Sequence, residues 1–254
     1  MSGYGVKKIK NIIRYWMEQD IPETRIDLVQ CRYLLFDGTY FKKTNCLVIL
    51  ADNSSNRIIK GEYLKRENYY SAFAIFSDLK VAGLYPRTMT IDGNTTAIKA
   101  VKEIWPNTII QRCIVHIQRQ GLSWLRRNPK NQAAIELRKL LLFLTKIHLK
   151  QDKDIFINGF NSWEKQFGNL VLALPKNDKV FSDLQRTRSL IAHSLPDMFH
   201  FLDDPNIPSS TNKVEGIFSK TKENFRLHKG LRKENRRKYF QWYIYFKNRR
   251  ISTN

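Results

Sequence analysis

The chain has 254 residues, 42% of them hydrophobic, which is enough for a buried core and excludes wholesale disorder. Lys plus Arg total 44 against 23 for Asp plus Glu, a formal net charge of +21, so a polyanionic partner is expected, nucleic acid ahead of an anionic membrane. Apolar runs such as residues 47–51 and 140–144 fall far short of the roughly 18 residues of a spanning helix, the N-terminal residues lack a signal-peptide core, and Cys31, Cys46 and Cys113 do not make a disulfide framework.

Residues 1–28 are expected to form a basic helix over their first 20 positions, with Val6, Ile9, Ile12, Ile13 and Trp16 near helical spacing among Lys7, Lys8, Lys10 and Arg14. Such a helix either docks on the core or is the remnant of a DNA-binding domain. Residues 29–127 read differently. Apolar runs over 33–36 and 45–51, then a shorter one over 57–65, are separated by turn-like residues 43–45 and 52–56 and predict an antiparallel meander. A helix over 69–81, a strand over 87–91, a helix over 95–104, a strand over 108–112 and a helix over 115–125 follow. The order β-β-β-α-β-α-β-α predicts an α/β fold, a mixed sheet covered by helices. Residues 128–208 show no strand signal and read as a helical insertion, with long amphipathic helices over 132–149 and 154–174. After a loop at 205–211, residues 209–254 carry a helix from about Lys213 and a last one near 233–248.

Two Asp-Gly pairs each follow an apolar run, at Asp37-Gly38 and Asp92-Gly93. Asp-Gly after a strand is ordinary turn chemistry. Thr39-Tyr40-Phe41 continues the β pattern past the first pair, however, and makes Asp37 an awkward turn residue. If the first and fourth strands are neighbours, their ends lie about 4.8 Å apart, and two carboxylates there could share a divalent cation. A third acid has to come from later in the chain. Glu215 is placed for this at a helix start, although Asn212 as N-cap with Glu215 three residues on also reads as a capping box.

Cys113-x-x-His116 opens a helix after the fifth strand. A second pair at ligand spacing is missing from the sequence, so structural zinc is not expected; a buried Cys with a hydrogen-bonded His is the plainer reading. Residues 216–254 hold twelve Lys/Arg against two acids, a net of +10. Lys220, Lys222, Arg226, Lys229, Arg232, Lys233, Arg236 and Arg237 are the candidates for binding DNA phosphates without reading sequence. The aromatic residues among them, Tyr239, Trp242, Tyr243 and Phe246, share a helix face and are expected to pack on the core.

In order, the strand with Asp37, the strand with Asp92 followed by Gly93-Asn94, Cys113-x-x-His116, a helical stretch and Asn212-x-x-Glu215-Gly216 resemble the DDE transposases of the Mutator-like and bacterial insertion-sequence type, over roughly residues 30–250. The resemblance implies an RNase H-like five-stranded mixed sheet flanked by helices. An all-helical insertion would precede the last catalytic helix, with 123 positions from Asp92 to Glu215 to hold it. It implies Asp37, Asp92 and Glu215 as the metal-binding catalytic triad, with Cys113, His116 and Asn212 near the active site. Two Mg²⁺ (or Mn²⁺) ions about 3.5–4 Å apart would activate water and then a DNA 3′-hydroxyl for in-line attack on phosphodiesters. The implied partners are transposon ends and target DNA, engaged by a homo-oligomer, in a prokaryotic cytoplasm and nucleoid. Relatives of this type usually carry an N-terminal end-recognition domain, of which residues 1–28 would be at most the last helix. The alternatives are therefore a non-catalytic DNA-binding remnant of a truncated transposase, or another RNase H-like nuclease that cuts without joining.

Overall fold

The computed structural model describes residues 3–41, 45–173, 175, 179–227 and 231–251. Lys229, the turn positions 43 and 44, position 174 and the side chain of Lys233 lie outside the described residues. An N-terminal helix, α1 (Val6–Glu18), precedes three strands, β1 (Tyr33–Phe41), β2 (Asn45–Asp52) and β3 (Ile58–Leu64). Strands and helices then alternate: α2 (Tyr69–Val81), β4 (Thr88–Ile91), α3 (Thr95–Ile104), β5 (Ile109–Arg112) and α4 (Ile114–Leu125). Helices α5 (Gln132–Leu144), α6 (Lys150–Ala173) and α7 (Lys179–Ser194) follow, and α8 (Asn212–Arg226) and α9 (Lys233–Ile251) end the described chain.

The five strands form one sheet in the order β3-β2-β1-β4-β5, antiparallel across the meander and parallel from β1 to β4 to β5. This is the mixed α/β sheet, RNase H-like in strand order, expected from the sequence. Alternation along the strands sends successive side chains to opposite faces. Leu34, Phe36, Val48, Leu50, Met89 and Ile91 are buried with Ala72, Phe76, Ala100 and Val101 of α2 and α3. Leu35, Leu47, Ile49 and Ala51 are buried on the other face with Val214, Ile217 and Phe218 of α8 and Phe240 of α9. Each of the Val, Leu, Ile, Met and Phe side chains among them contributes about 1.5–3 kcal/mol by leaving water, and Phe36→Ala, beneath Phe76, would cost about 3–5 kcal/mol.

Local chemistry sets the helix ends. Asn68 caps α2 in a capping box with Ser71, and Asn94 caps α3 through Thr96 N and Ala97 N. Two sequence expectations need correction in the insertion. The helix expected over 132–149 ends at Leu144, because Asp152 accepts from the N–H groups of His148 and Leu149 and so starts α6 at Lys150. Helix α7, absent from the sequence reading, lies against α4 and buries Leu184, Thr187 and Ile191. Gly121 lets α5 approach α4, since a Cβ there would lie 2.5 Å from Leu141 Cδ1. The insertion has its own apolar core, and the fully buried Gln111 of β5 ties it to the sheet by donating to Met198 O and accepting from Phe201 N.

Helix α1 lies along α9. Trp242 Nε1 donates to Trp16 O at 2.9 Å, and the two indoles meet edge to face. The aromatic face expected on the last helix is divided: Phe240 and Trp242 are buried, Tyr239 and Tyr243 are partly buried, and Phe246 is exposed. No helix among the described residues is long and apolar enough to cross a membrane.

Candidate metal centre

The parallel register pairs Phe36 with Ile91, so the next residues on the two strands are Asp37 and Asp92. The strands then part. Strand β1 continues through Asp37 to Phe41 because β2 still pairs it, whereas β4 stops where Asp92 Oδ1 accepts from Asn94 N and the chain turns into α3. Asp37 thus lies in the middle of its strand, not at its end. It shares the alternation of Leu35 and faces α8.

Asp37 is 4% exposed. Its Oδ1 accepts from Gly38 N and its Oδ2 from Thr211 Oγ1 at 3.1 Å. Burial pushes its carboxyl up from 3.8 to about 6; the positive charge of His116 opposes this and the negative charge of Asp92 adds to it. Thr211 is the N-cap of α8, but its side chain makes no cap bond because the hydroxyl faces Asp37, Cys113 and His116. This corrects the expected capping box. Asn212 is the exposed first residue of α8, and the Glu215 carboxylate turns toward α4. There Arg119 Nη1 donates to both Glu215 oxygens, at 2.7 and 2.6 Å, and His116 Nε2 lies 3.6 Å from Oε1.

Asp37, His116 and Glu215 each offer a ligand atom, and these atoms lie within 4.8 Å of one another. Asp92 is outside that trio, although its charge acts on Asp37 and His116. The buried Cys113 caps the start of α4, and its Sγ accepts from Thr211 N at 3.4 Å. A hydrogen bond between Cys113 and His116 raises the imidazole to about 9 and, against the effect of burial, lowers the thiol.

A fourth carboxylate, Glu67, escaped sequence reasoning. It lies in the short connection between β3 and α2, where an Arg-Glu-Asn run looks like a solvated loop and carries no pattern signal. Burial, then the charges of Asp92 and Asp37, raise it from 4.5 to about 7. Asn94 Nδ2 donates to its Oε1 at 2.6 Å, so Glu67 holds the residue that shapes the Asp92 turn. Its Oε2 lies against Gly38, where a Cβ would be only 2.4 Å away.

The donor set fits a divalent cation. Two carboxylates and an imidazole converge, and the negative charges of neighbouring acids add to burial in raising Asp37 and Glu67, a repulsion that a cation would relieve. Carboxylate oxygens suit Mg²⁺ and Mn²⁺.

The basic candidates are spread over α8 and α9. Lys220, Arg226, Arg232 and Arg237 are exposed, and Lys222 and Arg236 are half-buried. Several also serve inside the fold: Lys220 pairs with Glu223, Arg237 with Glu62, Lys222 lies over the Phe41 ring and Arg236 over that of Phe225.

Comparison with known proteins gives three findings. In the cryo-EM structure of a simian T-cell lymphotropic virus intasome in complex with PP2A regulatory subunit B56 gamma, one chain is 13% identical with a TM-score of 0.27. The match covers 78% of the present chain and 59% of that one, so this chain spans under two thirds of its length. Curated proteins give no match. The family described as "Transposase, Mutator family" matches residues 40–227, which hold Asp92, Cys113, His116 and Glu215, with Asp37 just before them. On that match, the chain belongs to the Mutator family of transposases.

Proposed function

We propose that the chain cuts DNA strands and joins them to new positions, with Asp37, Asp92 and Glu215 as a metal-holding triad. The observation that carries this is the meeting, within 4.8 Å, of ligand atoms from a central strand, from the helix after β5 and from the helix after the insertion. Asp92 joins Asp37 through the parallel register. Divalent Mg²⁺ or Mn²⁺ held there, two ions in the full reading, would polarise the phosphodiester and lower the pKa of the attacking hydroxyl. The chain's own residues do the rest. Thr211 and Gly38 orient the Asp37 carboxylate, Asn94 and Glu67 fix the Asp92 turn, and Cys113 holds the ring of His116 toward Glu215. The exposed Lys220, Arg226, Arg232 and Arg237, together with Lys222 and Arg236, would grip transposon-end and target DNA by their phosphates. A homo-oligomer would hold two ends together, in the nucleoid of a prokaryotic cell.

A cleavage and strand-transfer assay with Mg²⁺, with Mn²⁺ and with EDTA tests the proposal. Metal-dependent nicking followed by joining is the expected result. Nicking without joining would mark a nuclease, and binding without either would mark a non-catalytic DNA-binding protein.

A further inference from the structure

Glu215 is already neutralised by the protein itself. Residues 116 and 119 stand one turn apart on α4, so both side chains point at the start of α8. One nitrogen of Arg119 engages both carboxylate oxygens of Glu215, and the charges of Cys113 and Asp37 also act on that guanidinium. A divalent cation on Glu215 needs the lone pairs that this nitrogen now uses. A divalent cation on the oxygens that already accept from Arg119 would be repelled by the guanidinium and would compete with it for the same lone pairs. The Arg119 side chain is 57% exposed on a long flexible stem, so it can give way while remaining at the rim of the acidic group. A DNA phosphate drawn to that group offers oxygens whose geometry matches the guanidinium fork.

Resting on the metal-centre reading above, we infer that Arg119 exchanges partners. It holds Glu215 before metal and DNA arrive, and donates to a phosphate of the bound DNA once a divalent cation takes the carboxylate. Arg119 would then be a catalytic residue that the triad does not include. The free acid would also be protected from adventitious cations until substrate supplies a better anion for the arginine.

The test uses the full chain and reads Mn²⁺ binding without DNA as well as nicking of a duplex. Arg119→Ala should tighten Mn²⁺ about tenfold by removing the competitor, and should lower nicking at saturating Mn²⁺ about a hundredfold by removing a donor to the phosphate. Duplex affinity should change little, since one contact among many is lost. Arg119→Lys should keep most of the competition and recover only part of the nicking. Arg119→Gln, measured in parallel, keeps a shorter polar side chain without the charge should the alanine variant fold poorly, and should tighten Mn²⁺ in the same way. Unchanged Mn²⁺ affinity in the uncharged variants would overturn the exchange, and so would full nicking at saturating Mn²⁺. Glu215→Gln separates the two claims. If it weakens Mn²⁺ while Arg119→Ala leaves it unchanged, only the exchange fails; if it leaves Mn²⁺ unchanged, the metal-centre reading fails and the exchange with it.

Discussion

Thr211 Oγ1 donates to Asp37 Oδ2 at 3.1 Å, tying the residue before α8 to the middle of β1. A helix cap would use the hydroxyl oxygen as an acceptor, but turned toward the carboxylate that oxygen takes no N–H of α8. Thr211→Val keeps the shape and deletes the donor. Because the site is buried, the loss should cost about 1–3 kcal/mol in urea unfolding and should raise the Asp37 carboxyl further, since the Thr211 bond lowers it. Thr211→Ser should recover most of both effects. A valine variant as stable as the parent would show that the bond contributes nothing.

Glu67 makes metal-free stability depend on pH in an unusual direction for an acid. Its folded value, about 7, lies above the ordinary 4.5, so between these values the folded state binds more protons than the unfolded chain. Stability therefore falls as pH rises from 4.5 through 7. Asp37 acts the same way between 3.8 and 6. His116, raised from 6.5 to about 9, contributes stability that is lost as pH climbs through 9. Melting in EDTA should drop steadily across this range, Mg²⁺ should flatten the trend, and Glu67→Gln should remove the part near neutrality. A Glu67→Gln profile parallel to the parent would count against a raised Glu67.

Helices α2 and α3 were legible from their periodicity, and in the structure Asn68 and Asn94 cap their starts. Asp37 and Asp92 come side by side because each follows an apolar run and the two strands pair in parallel, one residue beyond Phe36 and Ile91. What was not legible depends on the fold itself. The apolar residues of α7 are sparse, and Leu184 and Ile191 make sense as core positions only once they meet α4 and the rest of the insertion. Asn212 looked like the cap because nothing local says that the Thr211 hydroxyl is drawn to an acid from a distant strand. Glu67 had no signal at all: its raised value comes first from burial and then from the charges of Asp92 and Asp37, and both depend on how the chain folds around the sheet.

Gly38 is where the backbone of β1 passes closest to Glu67. An alanine Cβ would sit 2.4 Å from Glu67 Oε2 and 3.2 Å from Cys46 Sγ, so the carboxylate would have to swing away and release Asn94. Gly38→Ala should cost about 1–3 kcal/mol by overpacking and weaken Mn²⁺ binding. Adding Glu67→Ala should restore part of the stability, because the clash is then gone. Additive losses in the double variant would mean that the two residues do not collide.

DNA affinity should be electrostatic, falling steeply with salt and depending little on sequence. Alanine at the exposed Lys220, Arg226 and Arg232 should flatten the slope of log affinity against log salt by roughly 0.9 for each phosphate contact removed. Arg237→Ala should also cost stability, since it removes one of the two cations paired with the largely buried Glu62 and leaves only Lys60 at 3.8 Å. An unchanged salt slope in the triple variant would move the DNA-binding surface elsewhere.

The triad itself is best tested at Glu215, where structural and chemical roles separate. Its carboxylate takes no part in capping α8, and its ion pair with the largely exposed Arg119 is of the kind worth about 0–1 kcal/mol. Glu215→Gln should therefore melt close to the parent and still bind DNA, because only a negative charge is removed. If that charge holds a catalytic cation, Mg²⁺-dependent nicking and joining should disappear. Asp92→Asn should behave alike, its turn kept by an amide oxygen that can still accept from Asn94 N. Asp37→Asn loses a buried charge whose burial already raises its proton affinity, so it should fold at least as well while losing activity. Pairwise combinations should be no worse than the single variants, because residues acting as one unit are non-additive. Substantial strand cleavage by Glu215→Gln would remove Glu215 from the triad and leave Glu67, a carboxylate that the charges of Asp92 and Asp37 act on, as the next ligand to substitute.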